Sequence, residues 1–97
     1  MFDKLNSLMD MRKKMQQVKE ELAAARFDIR SSGGLVTVTM SGAQEIMDVR
    51  FEKDIAGVDA QALARELIDV FNRAVKRSQE VAAQKMKDVT GIKLPGM

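Results

Sequence analysis

Two groups of cations, Arg12, Lys13, Lys14 and Lys19 near the start of the chain and Arg73, Lys76, Arg77, Lys85 and Lys87 near its end, have the type and spacing to do a chemical task. That task is holding an anion, because phosphate contact needs positive charge at reachable spacing and no particular motif. Little else in the chain offers reactivity. It has no histidine, cysteine, tryptophan or tyrosine, so thiolate and imidazole metal sites and the usual general bases are missing. No nucleophile sits beside a base, and an enzyme is not expected. Glu45, Asp48, Glu52 and Asp54 are acidic but fall near turns, where solvation is the ordinary fate of a carboxylate. No catalytic residue, metal site, cofactor or small-molecule substrate is therefore expected. Gly33 and Gly34 are turn residues and not a phosphate loop, since no GxxxxGK[ST] pattern follows them.

The charge is uneven along the 97 residues although its sum is only +2. Arg50, Lys53 and Arg65 are outnumbered in the middle by Glu45, Asp48, Glu52, Asp54, Asp59 and Glu66, whereas both ends are basic. Two terminal helices lying side by side would sum their cations into one positive arm on an acidic base, a geometry suited to a polyanion. Double-stranded nucleic acid fits better than single strands. The four phenylalanines, Phe2, Phe27, Phe51 and Phe71, fall mostly on expected core faces and leave no stacking platform for bases.

The elements that must carry these cations follow from hydrophobic period. From about Asp3 to Ala25 no Gly or Pro interrupts a helical composition, and Leu8, Met11, Met15, Val18, Leu22 and Ala25 recur at steps of three and four. The seam is too short to specify a coiled coil. In a parallel pair between subunits Lys14 would oppose Lys19, and in an antiparallel one Arg12 would oppose Lys19, so the favoured partner is the second helix of the same chain. The period then changes to two. Phe27 and Ile29, then Val36, Val38 and Met40, then Met47, Val49 and Phe51 alternate with polar residues, with turns at Ser31 to Gly34 and from Ser41 and Gly42. A three-stranded antiparallel meander covered on one face is expected.

Asp59 is a good N-cap, Val58 and Leu63 are placed for a hydrophobic staple, and a second helix should run from about Ala60 to Val89, stopped by Gly91 and Pro95. At about 45 Å it is longer than the sheet is wide, so its C-terminal half must project beyond the sheet, with the first helix as its partner. Pairs are expected between Asp69 and Arg73 and between Lys76 and Glu80. The fold class is thus α+β, a single domain over residues 1–97. No apolar run approaches the length that spans a bilayer, and Met1 to Asp10 does not read as a secretory signal, so a cytoplasmic location is expected.

The order helix, meander, long helix, with Gly34, Leu35, Val36, Val38, Thr39, Gly42, Ala43 and Val49 across the hairpin, resembles the YbaB/EbfC family of nucleoid-associated DNA-binding proteins. Phe71, Asn72 and Ala74, then Arg77, Glu80, Lys85, Met86 and Val89, and the closing Leu94, Pro95 and Gly96 match that family's C-terminal pattern, so the similarity covers nearly the whole chain. Two departures, Lys53-Asp54 where members often carry Asp-Pro and Ser41-Gly42 where they often carry Asn-Gly, affect turn geometry more than any binding surface. The resemblance implies a cytoplasmic, nucleoid-located homodimer whose sheets form the body and whose paired helices project like tweezers around duplex DNA. A rival reading is a protein-interaction adaptor or chaperone-like dimer. Its arms would grip a partner through their methionines, of which the chain has eight and whose thioethers repack cheaply.

Overall fold

The computed structural model describes residues 2–52 and 55–90, and the expected helix stops at Gly91 and Pro95, the Lys53-Asp54 turn and the tail lie outside the described residues. Element order is α1 (Phe2–Ala24), β1 (Arg26–Arg30), β2 (Val36–Ser41), β3 (Ile46–Phe51), a short 3-10 turn (Ile55–Gly57) and α2 (Ala60–Thr90). The strands form one antiparallel sheet in the order β1-β2-β3. The α+β meander read from the alternation is therefore the fold, with helix bounds within one residue of those expected.

Local chemistry explains where each element begins and turns. Ala62 N–H donates to Asp59 Oδ2 at 3.0 Å, which caps α2 as its sequence predicts. Val58 and Leu63 are both half-buried beside that cap. The β2–β3 turn closes through Gln44 N–H to Ser41 O at 3.1 Å and Ser41 N–H to Glu45 O at 2.8 Å. Gln44 sits there at φ 64°, a left-handed position usually given to glycine. Pairing is regular at Phe27↔Met40, Ile29↔Val38, Val36↔Phe51 and Val38↔Val49, with an irregularity between Thr39 and Met40 opposite Ile46 and Asp48.

α2 lies along β2 and β1. Val36, Val38 and Val70 are wholly buried together, with Ile29, Leu35, Leu63, Leu67 and Phe71 packed around them. Burial of this kind contributes about 25 cal/mol per Å² of apolar surface, so the three valines and their ring of neighbours are the main cohesive contact of the body. Farther along α2, Ser78 is fully buried, and its hydroxyl donates toward the carbonyls of Ser41 and Gly42 at 3.2 and 3.1 Å. Gly42 is wedged there: a Cβ at its position would stand 3.0 Å from Leu22 Cδ2, 3.1 Å from the Leu22 carbonyl oxygen and 3.2 Å from Val81 Cγ1. Only a residue without a side chain lets α1, α2 and the turn meet so closely.

Beyond this junction the two helices run antiparallel as an arm. The molecule measures 67 × 24 × 16 Å with a radius of gyration of 18.1 Å, against about 13 Å for a compact chain of this length. The arm is less fully packed than the α1 seam suggests. Val18 is buried and Leu22 half-buried, but Leu8, Met11 and Met15 are exposed, Leu8 by 61%. Length accounts for the outermost of these: with Leu22 beside Val81, the described part of α2 reaches about 14 Å past the junction, whereas α1 extends about 30 Å back from it, so Leu8 and Met11 lie beyond that part of its partner. The sheet is also less covered than expected: Met40 is core, but Met47 and Phe51 are exposed, since α2 lies over β1 and β2 and leaves β3 bare.

Replacing Ser78 by alanine is expected to cost about 1 kcal/mol and to lower the melting temperature by roughly 4–8 °C, read by circular dichroism. Gly42→Val should cost about 1–3 kcal/mol by overpacking the three-way junction.

Candidate nucleic-acid interface

Each of the nine cations singled out in the sequence has a definite place. Arg12, Lys13, Lys14 and Lys19 are exposed on α1. Arg12 and Lys19, two turns apart, line one shallow groove with Leu8, Met11, Met15 and Gln16, while Lys13 and Lys14 point to other sides of the helix because successive residues turn by about 100°. On α2, Arg73, Lys76, Arg77 and Lys87 fall within about 100° of one another on the helical wheel, and all four are exposed. Lys85 stands apart from them. Its spacing from Ala74 and Val81 places it on the packed face, and it is half-buried, lining a groove with Arg77, Glu80, Val81 and Gln84.

Their electrostatic partners differ. Arg77 Nη1 pairs with Glu80 Oε2 at 3.4 Å, with both side chains about half-exposed, so Glu80 is taken by Arg77 and not by Lys76 as the spacing suggests. Gln16 and Gln84 donate to Glu20 and Asp88 at 3.4 and 2.8 Å. Among the described residues, Arg12, Lys13, Lys14, Lys19, Lys76, Lys85 and Lys87 form no ion pair. Among those residues these seven charges have no carboxylate partner and are available to an incoming anion.

Arg73 is the cation with the most structural duty. Its Nη1 donates to the Arg30 carbonyl at 2.9 Å and to Asp69 Oδ2 at 3.1 Å, the second being the expected i,i+4 pair. It belongs to a clamp that holds the β1–β2 turn on α2. Ser31 Oγ donates to Glu66 Oε1 at 2.8 Å, and the amides of Gly33 and Leu35 donate to the same carboxylate at 3.0 and 3.3 Å. Ser32 donates to Asp69 Oδ2 from both its amide and its hydroxyl at 3.0 Å. The Ser31 hydroxyl first, then the two amides, hold the Glu66 carboxyl below the usual carboxylate range. The Ser32 amide and hydroxyl, followed by Arg73, do the same for Asp69. The turn and the Asp69–Arg73 spacing are readable in the sequence, but this clamp is not. Its signal was two carboxylates one turn apart on α2, with nothing local to name a partner more than thirty residues away.

The polar face of the sheet is self-neutralised. Arg50 bonds Asp28 at 3.2 Å and lies 3.5 Å from Asp48, Thr39 donates to Asp28, and Thr37 donates to Glu52 at 2.7 Å. The Thr39 hydroxyl, then Arg50, keep the Asp28 carboxyl below its ordinary value. No group of acidic residues able to hold a metal ion occurs among the described residues. Among the described residues the arm thus carries cations without ion-pair partners, while Arg50 of the sheet is paired with Asp28 and Asp48.

A family model for the YbaB/EbfC DNA-binding family matches residues 1–93. The chain belongs to the YbaB/EbfC DNA-binding family. It is 36% identical over 99 aligned residues to a nucleoid-associated protein of Clostridium novyi, covering 96% of this chain and 87% of that one. It is 28% identical to a nucleoid-associated protein of Syntrophobacter fumaroxidans, with 99% and 94% covered. The crystal structure of an uncharacterized protein from Helicobacter pylori is similar in fold, with a TM-score of 0.71 at 27% identity and 82% and 86% of the chains covered. For this YbaB/EbfC chain no described helix is long and apolar enough to cross a membrane.

The clamp gives the YbaB/EbfC body a predictable acid response. A carboxyl whose folded pKa is depressed contributes stability above its unfolded pKa, roughly 4 for Asp and Glu, and loses that contribution as pH falls through the lower folded value. Melting temperature should therefore hold steady from neutral pH to about pH 5 and decline below it. Glu66→Gln should flatten part of that decline while lowering the plateau, as measured by thermal melts from neutral pH down through the acid range below about pH 5.

Proposed function

We propose that the protein is a nucleoid-associated, non-enzymatic homodimer that binds double-stranded DNA mainly through phosphates, held by the cations of its helical arms, with weak sequence preference. One observation carries this reading: Arg12, Lys13, Lys14, Lys19, Lys76, Lys85 and Lys87 are without ion-pair partners among the described residues, and all lie on the two helices that form or approach the arm. Arg73 and Arg77 add charge to the same region while keeping their internal bonds. Most of these cations are lysines, point charges suited to phosphate with no fork to read base edges, and Arg73 and Arg77 have their guanidinium groups engaged by Asp69 and Glu80, which supports weak sequence preference. The relatives' printed description as nucleoid-associated proteins agrees with a place on the chromosome in the cytoplasm. Two copies would double the number of arms on one duplex, and the bare apolar face of β3 supports pairing of subunits.

The exposed Leu8, Met11 and Met15 favour a second reading, an adaptor whose arms grip a protein partner. A partner retained after nuclease digestion at high salt would support it. Captured proteins that are lost on nuclease digestion would support the first.

A duplex-binding titration against salt concentration is expected to give a log-log slope near −4 to −5, from about four to six phosphate contacts. A slope near zero would remove the mechanism. Replacing Arg12, Lys13 and Lys14 together by glutamine should weaken binding alike for unrelated sequences and make the slope shallower by about one unit per lost contact. Unchanged affinity would move the contact surface off α1.

A further inference from the structure

The seam of α1 is covered over its inner half and open over its outer half. Val18 is buried and Leu22 half-buried against α2, whereas Met11 and Leu8, on the same face about two and three turns farther out, are exposed. With Arg12, Met15, Gln16 and Lys19 they line a shallow groove. A second α1 is a poor occupant for it, because Arg12 and Lys19 border the groove and an antiparallel copy would set one against the other.

The chain itself supplies a better occupant. With Leu22 beside Val81, the last described turn of α2 comes level with Lys13, since both helices rise by about 1.5 Å per residue. The open part of the seam therefore begins where the described part of α2 leaves off. Residues 91–97 follow directly, and at about 3.3 Å per residue they reach about 23 Å, well over the roughly 8 Å from Lys13 back to Leu8 along α1. Their composition suits an extended run: Gly91 allows a chain to turn out of a helix, and Pro95 bars a helix from running through. Alternate residues of an extended chain share a side, which puts Ile92 and Leu94 together and Lys93 opposite them. The two apolar residues are then about 6.6 Å apart, close to the roughly 4.5 Å that separates Met11 from Leu8 along the helix.

We infer that residues 91–97 fold back over the outer seam of their own α1, with Ile92 against Met11, Leu94 against Leu8 and Lys93 turned to solvent. Tethering favours this occupant over a free peptide, because a segment joined to its groove by a short link has an effective concentration on the order of millimolar. Covering the seam in this way takes its apolar strip out of water and leaves Arg12 and Lys19 at the border free to meet an anion. It also closes the surface that the adaptor reading needs. The inference goes beyond duplex binding and stands without it.

Methionine oxidation reads the contact in the intact chain. Met9 lies nearly opposite Met11 on the helical wheel of α1, and at 53% and 55% exposure on the described helix the two thioethers would oxidise alike if nothing else covered either. In dilute peroxide Met11 is expected to form sulfoxide about fivefold more slowly than Met9. Ile92→Asp combined with Leu94→Asp should raise Met11 to the rate of Met9 and leave Met9 unchanged, whereas Ile92→Val with Leu94→Ile should keep the protection. Because the chain has no cysteine, a second measurement is open: Leu8→Cys with Leu94→Cys in one chain should close a disulfide under mild oxidant, seen as a faster-migrating monomer on a non-reducing gel. An equimolar mixture of the two single variants should stay unlinked to each other. Equal oxidation of Met9 and Met11 in the native chain overturns the inference. So does protection of Met11 that is lost on dilution, or linking between the two single variants in place of closure within one chain, either of which gives the seam to a second copy.

Discussion

The arm exists because α2 is held to the sheet at a fixed point along its length, where the buried Ser78 hydroxyl meets the carbonyls of Ser41 and Gly42. The part of α2 before Ser78 packs on β1 and β2, and the part beyond it lies alongside α1, with Val81 still against the turn at Gly42. Gly42 makes the same point from the side of the sheet, since Leu22 of α1 and Val81 of α2 close over it within van der Waals distance. A buried hydroxyl without acceptors, or a side chain at Gly42, would push the helices off this point. The cations of α1 and of the outer half of α2 would then lose their common base.

The two flanks of α2 divide the remaining work. One flank carries Glu66, Asp69 and Arg73, which grip the β1–β2 turn and the Arg30 carbonyl and so fix the helix against rolling. The other carries Ile68 and Val75, left in solvent. A small chain buries too little surface to waste apolar side chains in water, and pairing of copies is the ordinary remedy. Charge is divided in the same manner. Asp28, Asp48, Glu52, Glu66 and Asp69 of the body are occupied by hydroxyls, amides and arginines, whereas the arm lysines have no ion-pair partner among the described residues, which adds positive potential along the arm.

Much of this was legible from residue order. The change from a three-and-four step to a two step near Ala25 marks where α1 gives way to the sheet, and Asp59 announces α2 because its carboxylate caps the first turn locally. Even the half-burial of Lys85 follows from its spacing to Ala74 and Val81. What stayed hidden depends on register between distant segments. The α1 seam reads as continuous from Leu8 to Ala25, but its covered length is decided by where Leu22 meets Val81, which neither helix encodes alone. Alternation likewise marks Val49 and Phe51 as apolar-faced without saying that α2 lies over β1 and β2 and misses β3. The Glu66 and Asp69 clamp was invisible for the same reason, since its partners lie across the fold and carry no pattern of their own.

The most direct test of the cationic arm is a lysine-reactivity footprint of the protein with and without a saturating duplex, read by mass spectrometry. Protection concentrated at Lys13, Lys14, Lys19, Lys76 and Lys87 is the predicted result. Full occupancy of the duplex with those arm lysines unprotected would contradict it.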